Sequence, residues 1–346
     1  MSLHIKSILF IHPYLDGPSA ARWIFQAWRT GFEHEGYICH FCTADQITQY
    51  TINLTPDLIW CDIVSSPIED HTYRSCLDKL RTKGSKILLW LYWPLWDLPE
   101  MRQKIVINED IADLYFGERE KDSIYGFEEE TGKIYHTLPM FANSSLHKLG
   151  TIRKELEYDI TFVGAKLPKK KWFNNNIIKP LSRKYKVGLF GTNWTMTDNI
   201  KRVGSRLLRL GKMNSVASHI DRTRFSISDA DEVDLYRSSK ICLNFHERAD
   251  DLSQPHHVMN HRAFKIVACG GFQICDQVKG MANYFNDDEL CMVDCNQKQW
   301  FDQIEYFLHA EKERNEYVRR GMNRVNREHL DFHRVRLIES LISNQK

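Results

Sequence analysis

The sequence carries little net charge and has no long hydrophobic run. Its formal charge is only +2 at pH 7, which is too small for a protein that binds nucleic acid over its whole surface, although local basic runs remain. The apolar run at the N-terminus ends before His12 and Pro13 and is too short for a signal peptide or a membrane span. Repeats and low-complexity tracts are absent, and 42% hydrophobic residues do not fit a disordered class. We therefore expect a folded, cytoplasmic protein.

A disulfide pattern is also lacking. The nine cysteines are an odd number scattered through strand and helix patterns, which favours small buried side chains in a reducing compartment. Two pairs, Cys39 with Cys42 and Cys291 with Cys295, are close enough in sequence to suggest zinc. No second pair stands at the spacing of a zinc finger, so we expect no structural zinc.

Two series of alternating strands and helices fill the chain, which at 346 residues is long enough for two hydrophobic cores. The first series predicts strands at 7–11, 37–41, 58–64, 86–91 and 112–116, with helices at 20–35 and 71–83 among them. A polar stretch over 143–157 precedes the second series. That series predicts strands at 160–163, 186–190, 241–245, 272–275 and 290–293, with helices at 170–184, 230–238, 258–269 and 297–311. Parallel sheets covered by helices are the expected architecture.

Five segments carry a resemblance to a known family. They are YDITFVGA (158–165), VGLFGTNW (187–194), VDLYRSSKICLNFH (233–246), NHRAFKIVACGGFQICD (260–276) and REHLDFHR (327–334). In this order and spacing they resemble the C-terminal donor domain of GT-B glycosyltransferases of the family-one type, in the branch of CgeB-like spore-maturation proteins. The match covers roughly residues 155–335, whereas the N-terminal half matches by architecture alone.

The resemblance implies an α/β fold of the GT-B type, in which two Rossmann-like domains face a cleft. We expect an N-terminal acceptor domain at 1–150, a nucleotide-sugar donor domain at 151–325, and a C-terminal helix at 326–346 that closes the molecule and crosses back to the N-terminal domain. The implied activity is metal-independent transfer of a sugar from a UDP- or GDP-sugar to a hydroxyl of a saccharide, a glycolipid or another large acceptor. A glycosyltransferase acting on modified bases of nucleic acid, and a non-catalytic binding protein with this fold, are the alternatives.

Donor binding is expected where strands of the second series end and where the next helix begins. The resemblance implies that the helix opening near Val258 points its N-terminus at the donor diphosphate, which its free N–H groups would favour. Arg262 could hold a phosphate with two parallel hydrogen bonds, although pairing with a surface carboxylate is the alternative. The predicted donor-binding residues are Gly164, Gly191, Asn193, Trp194, Asn244, His246, Asn260, His261, Arg262, Lys265, Gly270 and Gly271.

Several of these residues also have simpler interpretations. Gly164 and Gly191 each follow a strand, where they would admit a ligand or a neighbouring backbone, or simply form a turn. Trp194 could stack on a base or fill an interdomain wall, and His246 could be a structural histidine. Lys265 stands where relatives carry a glutamate that accepts hydrogen bonds from the donor ribose, and an ammonium group cannot accept them. Another group must then hold the ribose, or the lysine meets a further phosphate, or the donor is unusual.

Catalytic and acceptor residues are expected in the N-terminal half. Transfer with inversion needs a base for the acceptor hydroxyl, and side chains that follow predicted strands are the candidates: His12, Asp16 and Asp97. Asp16 could equally be a turn or helix-capping residue. Because sugar rings pack on indoles, we expect Trp93 and Trp96 to bind an acceptor saccharide, with core packing as the alternative, and Trp90 to lie in the core.

Basic residues and histidines form two further clusters. Lys201, Arg202, Arg206, Arg209, Lys212, Arg222 and Arg224 belong to a segment nearly free of acids, which is typical of a solvated helix face. It could also bind an anionic acceptor, the inner face of a membrane or, less readily, nucleic acid. His256, His257 and His261 have no carboxylate that would complete a metal motif, so no catalytic metal is expected.

Overall fold

The computed structural model describes residues 6–12, 20–64, 66–92, 94–167, 170–224, 227–246 and 258–344. These residues form two compact units. Unit 1 comprises the described residues within 1–15, 21–140 and 331–346, and unit 2 those within 16–20 and 141–330. Among the helices of these ranges, none combines the length and the hydropathy required to cross a lipid bilayer.

Unit 1 contains a six-stranded parallel sheet with the strand order β2-β1-β3-β4-β5-β6 in its described part. The strands are β1 (Ser7–Ile11), β2 (Ile38–Cys42), β3 (Leu58–Asp62), β4 (Lys86–Trp90), β5 (Leu114–Gly117) and β6 (Tyr135–Thr137). The helices between them are α1 (Ala20–His34), α2 (Ile47–Asn53), α3 (His71–Thr82), α4 (Pro99–Ile107) and α5 (Phe127–Thr131). All of β3 is buried, as expected for a parallel strand that is covered on both faces.

Unit 2 contains a five-stranded parallel sheet with the order β11-β10-β9-β7-β8. Its strands are β7 (Ile160–Val163), β8 (Val187–Phe190), β9 (Ile241–Asn244), β10 (Gln273–Asp276) and β11 (Cys291–Val293). Its helices are α6 (Lys171–Phe173), α7 (Lys179–Lys184), α8 (Met196–Leu210), α9 (Asn214–Arg222), α10 (Asp229–Ser238), α11 (Arg262–Ala268), α12 (Gln297–His309) and α13 (Glu311–Glu328), and a π-helical segment, Asn174–Ile178, joins the first two.

The last helix, α14 (Asp331–Ser343), is part of unit 1. The Arg334 guanidinium is buried in this unit and donates from Nε to the carbonyl of Pro139 at 2.8 Å. Gly31 of α1 lies so close to α14 that a Cβ atom there would be 2.8 Å from the backbone carbon of Asp331. The close approach explains why a glycine is needed inside α1.

Aromatic packing supports one edge of the sheet in unit 2. Phe162 of β7 lies 5.3 Å from Phe173 between ring centroids, and Phe173 stacks on Phe245 at 4.5 Å. Because all strands of the sheet are parallel, the residues that follow Val163, Phe190 and Asn244 lie along the same edge, the carboxyl edge. The aromatic cluster therefore supports the residues at that edge from below.

Strand positions were predicted more closely than helix starts. The predicted strands 7–11 and 160–163 coincide with β1 and β7. The helix expected over 258–269 begins only at Arg262, because the side-chain oxygen of Asn260 accepts a hydrogen bond from the N–H of Ala263 at 3.2 Å and caps the helix there. Asn260 and His261 thus precede α11 and are not in its first turn. The short strand β6 and the helices α8 and α9 were not predicted.

Candidate functional site

Arg262 holds the ends of two neighbouring strands together at the carboxyl edge of unit 2. Its Nη1 donates to the carbonyl of Val163 at 2.8 Å and its Nη2 to the carbonyl of Phe245 at 3.1 Å. The guanidinium carbon lies 5.1 Å from the ring centroid of Phe162, within the range of a cation–π contact. Arg262 is therefore oriented by its own sheet and does not pair with a surface carboxylate in the contacts above.

The two glycines of this edge make room for protein atoms. A Cβ atom on Gly164 would collide with Nη1 of Arg262. Gly191 has a φ of +110°, and a Cβ atom there would lie 2.7 Å from the carbonyl group of Gly164. Of the interpretations open for these glycines, the structure supports close approach of neighbouring groups, because backbone and guanidinium occupy the space that a side chain would fill.

Lys170 is a second cation at this edge, and the sequence prediction missed it. Its side chain is buried, with the residue 3% exposed, and its ammonium group lies 5.6 Å from the ring centroid of Phe162. Phe162 is thus in contact range of two cations, Lys170 and Arg262. The run KLPKKK directly after the strand and its glycine was the available signal. Buried cations are rare unless partners or a ligand compensate their charge.

Trp194 and Asn193 fix the loop that follows β8. The indole N–H of Trp194 donates to the carbonyl of Gly164 at 2.7 Å, and its ring meets Phe162 edge to face at 6.0 Å. Asn193 has a φ of 69°, and its side-chain oxygen accepts a hydrogen bond from Arg224 at 3.1 Å. Both residues are at the predicted edge, where their described contacts are made with protein groups.

Asn244 and Asn260 form a reciprocal amide pair. Each side-chain nitrogen donates to the other's oxygen, at 3.1 and 2.9 Å. Asn244 is the last residue of β9 and is fully buried, so the pair fixes the start of α11 to the end of this strand. The two residues lie together, as the prediction of a shared site requires.

His246 is buried beside Asp276 at the end of β10. The carboxylate oxygen Oδ1 of Asp276 lies 2.7 Å from Nδ1 of His246 and also accepts its backbone N–H at 2.9 Å. Asp276 was not among the predicted site residues, although its place at the end of a strand was visible in the sequence. The carboxylate fixes the orientation of the imidazole at the sheet edge.

His261 and His147 share a buried position. Their ring centroids are 5.3 Å apart, and Phe141 meets His261 edge to face at 6.1 Å. Burial and the nearby charge of Lys265 lower the pKa of His261 to about 3. Its Nε2 is buried and has no hydrogen-bond partner in the described part of the chain. His261 is therefore a neutral imidazole near neutral pH.

Predicted histidine ligands give no metal centre in the described residues. His256 and His257 lie outside those residues. No group of three or more His, Cys, Asp or Glu side chains in the described ranges is arranged to hold a metal ion.

Lys265 is paired with a carboxylate inside unit 2. Its ammonium group forms an ion pair and hydrogen bond with Glu232 of α10 and lies 5.7 Å from the ring centroid of Tyr236. The hydroxyl of Tyr236 also donates to Glu232. Both charged side chains are largely buried, at 16% and 13% exposure. The carboxylate expected at position 265 is thus replaced by one from α10, which is held beside the lysine.

Gly270 and Gly271 do not belong to this edge, which corrects the prediction. They follow the end of α11 and precede β10, so they lie at the amino edge, because α11 runs antiparallel to the strands. Gly270 has a φ of +80°, and a Cβ atom there would be 2.6 Å from a methyl carbon of Leu149. The two glycines end the helix and permit tight packing.

In unit 1, His12 follows β1 at the carboxyl edge of its sheet and faces Asp62, the last residue of β3. Nε2 of His12 is 3.6 Å from the carboxylate, and the two side chains are 7% and 3% exposed. Burial lowers the pKa of His12, while the Asp62 charge opposes that change. The other carboxylate oxygen of Asp62 accepts the N–H of Val64 at 2.9 Å. Asp62 was missed, although the sequence LIWCD shows it directly after an apolar run.

The other predicted residues of unit 1 do not join this pair. Asp97 is ion-paired with the buried Arg119 at 2.7 Å, which assigns it a structural contact. Asp16 and Trp93 lie outside the described residues. Trp96 was expected at a cleft, but it is 3% exposed and its indole N–H donates to the carbonyl of Tyr125 at 2.7 Å. Trp96 is a core residue, and a sugar has no access to its buried ring.

Trp90 lies in the core, as predicted. It is 6% exposed, and its indole N–H donates to the carboxylate of Glu118 at 3.1 Å. The buried indole thus has a hydrogen-bond partner, which such a group normally requires.

Comparisons with known proteins agree with this architecture. Residues 169–340 match a family model described as glycosyl transferase-like, which includes Lys170, Arg262 and Lys265. No curated protein sequence matches the chain. The family match concerns the domain and does not distinguish the CgeB-like branch.

Solved structures resemble the chain over nearly its whole length. An α-glucosyltransferase in complex with UDP-glucose and DNA containing an abasic site is 11% identical, with a TM-score of 0.63 and coverage of 98% of this chain and 99% of that one. Sucrose-phosphate synthase from Thermosynechococcus elongatus is 12% identical, with a TM-score of 0.64 and coverage of 98% and 100%. Anabaena HepE (Alr3699) in complex with UDP and glucose is 11% identical, with a TM-score of 0.62 and coverage of 98% and 100%. The chain therefore has the α/β fold of GT-B glycosyltransferases, with two parallel sheets.

Proposed function

We propose that the protein is a glycosyltransferase that binds the diphosphate of a nucleotide sugar at the carboxyl edge of unit 2. The observation that carries this proposal is the pair of cations, Arg262 and Lys170, in contact range of Phe162 at the strand ends. In glycosyl transfer the bond between the sugar carbon and the diphosphate oxygen breaks, and negative charge grows on the leaving group. Fixed cations stabilise that charge, because they need no reorientation during the reaction.

Uridine diphosphate is the nucleotide that we propose. Both the α-glucosyltransferase and HepE are complexes with UDP or UDP-glucose, and they share the fold. A nucleoside also needs an acceptor for its ribose hydroxyls, which Lys265 cannot supply. We assign that role to Glu232, whose carboxylate stands beside Lys265 and is oriented by Tyr236.

His12 is the base that we propose for the acceptor hydroxyl. A neutral imidazole can take the hydroxyl proton while the hydroxyl oxygen forms its bond to the sugar carbon. Burial lowers the pKa of His12, which keeps the imidazole neutral, and Asp62 is placed to orient it and to stabilise the imidazolium that forms. Asp62 is a positioning residue in this scheme.

For the acceptor we propose a saccharide or glycolipid hydroxyl, and DNA is the second candidate. The specific observation for DNA is the likeness to the α-glucosyltransferase bound to DNA, together with exposed basic residues on α8 such as Arg206 and Arg209. Filter binding of duplex DNA at two salt concentrations separates the two. Phosphate-driven binding should weaken steeply as salt rises.

The donor proposal is tested by calorimetry with UDP-glucose. Arg262→Lys removes the two-pronged geometry, and charge-assisted hydrogen bonds are worth about 1.5–3 kcal/mol, so we expect Kd to rise by about 10- to 100-fold. Arg237→Lys is the matched control. The Arg237 guanidinium also donates to a backbone carbonyl, that of Gly270, but at the amino edge of the same sheet.

Two results would contradict the proposal. One is the absence of binding to UDP-, GDP-, ADP- and CMP-sugars alike. The other is a Kd for Arg262→Lys equal to that of Arg237→Lys. Hydrolysis of UDP-glucose, measured in parallel, distinguishes a transferase from a binding protein that retained the fold.

A further inference from the structure

Helix α8 is amphipathic in the inverted sense, with its apolar side toward solvent. The exposed fractions are 80% for Met196, 66% for Ile200, 53% for Val203, 62% for Leu207 and 82% for Leu210. The residues recur at intervals of four, three, four and three, which places them within an arc of about 80° at 3.6 residues per turn. They form one continuous apolar stripe along the helix.

The opposite side of α8 is polar and buried. Asp198 and Ser205 are 7% and 1% exposed. Asp198 is ion-paired with Arg224 at 2.8 Å, and the hydroxyl of Ser205 donates to the carbonyl of Ala217 in α9 at 3.3 Å. Polar contacts thus attach α8 to unit 2, and its apolar side chains remain outside. Single exposed apolar residues are common, but a contiguous stripe marks an interaction surface.

The charge around the stripe is positive. Between positions 196 and 224 the chain contains two acidic residues, Asp198 and Asp221, and both are buried in ion pairs with arginines. Arg206 and Lys212 are exposed on the same helical segment. The surface presented beside the stripe is therefore cationic.

We propose that the stripe of α8 docks on an anionic lipid surface. The apolar side chains would enter the boundary between headgroups and acyl chains, and Arg206 and Lys212 would lie at the lipid phosphates. A second copy of the chain fits less well, because Arg206 and Lys212 would meet like charges and no exposed acid in this segment compensates them. Nucleic acid would satisfy the cations but would leave the apolar stripe in water. The proposal goes beyond glycosyl transfer, and its test needs no donor sugar.

The test is flotation of the full chain with vesicles of phosphatidylcholine alone and of phosphatidylcholine mixed with phosphatidylglycerol. We expect binding to the anionic vesicles that weakens as salt rises. Ile200→Ser combined with Leu207→Ser should lower the partition coefficient by at least about tenfold, because it removes apolar groups that would insert. Ile52→Ser combined with Ile107→Ser is the matched control, since these isoleucines are exposed to a similar extent, 74% and 66%.

The cations have their own variant and control. Arg206→Gln combined with Lys212→Gln should weaken binding to anionic vesicles by about fivefold for each charge removed. Arg319→Gln combined with Arg327→Gln removes the same charge from α13, where the side chains are 60% and 67% exposed, and should have a smaller effect.

Three outcomes would overturn the proposal. The first is that the unaltered protein does not float with anionic vesicles. The second is that the Ile200 and Leu207 double variant floats as the unaltered protein does. The third is that this variant converts a dimer into a monomer in analytical ultracentrifugation, which would assign the stripe to a second copy. Because the stripe is exposed, thermal unfolding of the variant should match the unaltered protein and confirm that it folds.

Discussion

His261 makes the stability of unit 2 sensitive to mild acid. Its pKa lies at about 3 in the folded protein, against 6.5 for an unperturbed histidine, because burial and the Lys265 charge disfavour the imidazolium. The unfolded chain therefore binds a proton below pH 6.5 that the folded chain does not bind. Folding stability must fall as pH falls, over the window from about 6.5 to about 3.

The size of the effect follows from the two pKa values. Each pH unit within the window costs about 1.4 kcal/mol, so lowering the pH from 7 to 5 should destabilise unit 2 by about 2 kcal/mol through this residue. His261→Phe removes the titration and keeps a ring beside Phe141 and His147. No described hydrogen bond of Nε2 is lost in the exchange. The variant should therefore lose about 2 kcal/mol of the pH dependence.

Native-state hydrogen exchange of peptides from α11 is the suitable assay, since a chain with two units need not unfold in one transition. Protection at pH 7 and pH 5 is compared after correction for the intrinsic exchange rate. His309→Phe, at an exposed position on α12, controls for the added aromatic ring. The reasoning is refuted if His261→Phe retains the pH dependence of the unaltered protein. His147, whose pKa is also lowered by burial, contributes equally to both proteins and does not affect the difference.

Three further predictions concern the sites themselves. Gly164→Ala should push the neighbouring guanidinium aside and cost about 1–3 kcal/mol of stability with a loss of donor affinity, whereas Gly204→Ala, which meets nothing within 4 Å, should do neither in thermal unfolding and calorimetry. Asp62→Asn should lower kcat by about 10²–10⁴-fold with little change in the donor KM, and should shift the acid limb of the pH profile to lower pH, since Asp62 raises the pKa of His12. Trp96→Ala should cost about 3–5 kcal/mol in unfolding experiments, and the folded fraction should keep its acceptor KM because the ring is buried.

The strands could be predicted because buried parallel strands are short, apolar and bounded by glycines. The same reasoning placed Gly164, Gly191 and Arg262 at one edge, where the structure brings them together. Gly270 and Gly271 were assigned to that edge because they follow a helix in a resembling motif. Only the direction of the helix relative to the strands shows that they lie at the other edge.

Residues that act through partners distant in sequence were harder to predict. Asp62 is 50 positions from His12, and nothing in either segment names the other as its partner. Lys170 stands in a basic run, where a solvated surface is the usual interpretation, yet its side chain is buried against Phe162. The replacement of a carboxylate at position 265 by Glu232 needs the packing of α10 on α11. Such pairs are formed by tertiary contacts that periodicity does not encode.

Helix α8 shows the same limit for the orientation of a helix. Its sequence has an apolar stripe and a polar side, and such a pattern ordinarily predicts that the stripe faces the core. The structure reverses this, because the polar side is consumed by ion pairs between α8 and the residues around α9, such as Arg209 with Asp221 at 2.7 Å. Periodicity determines which residues share a face, but only the buried partners determine where that face points. A stripe left in water at 53–82% exposure is costly unless something covers it, and the cations beside it select an anionic lipid surface over a second cationic copy.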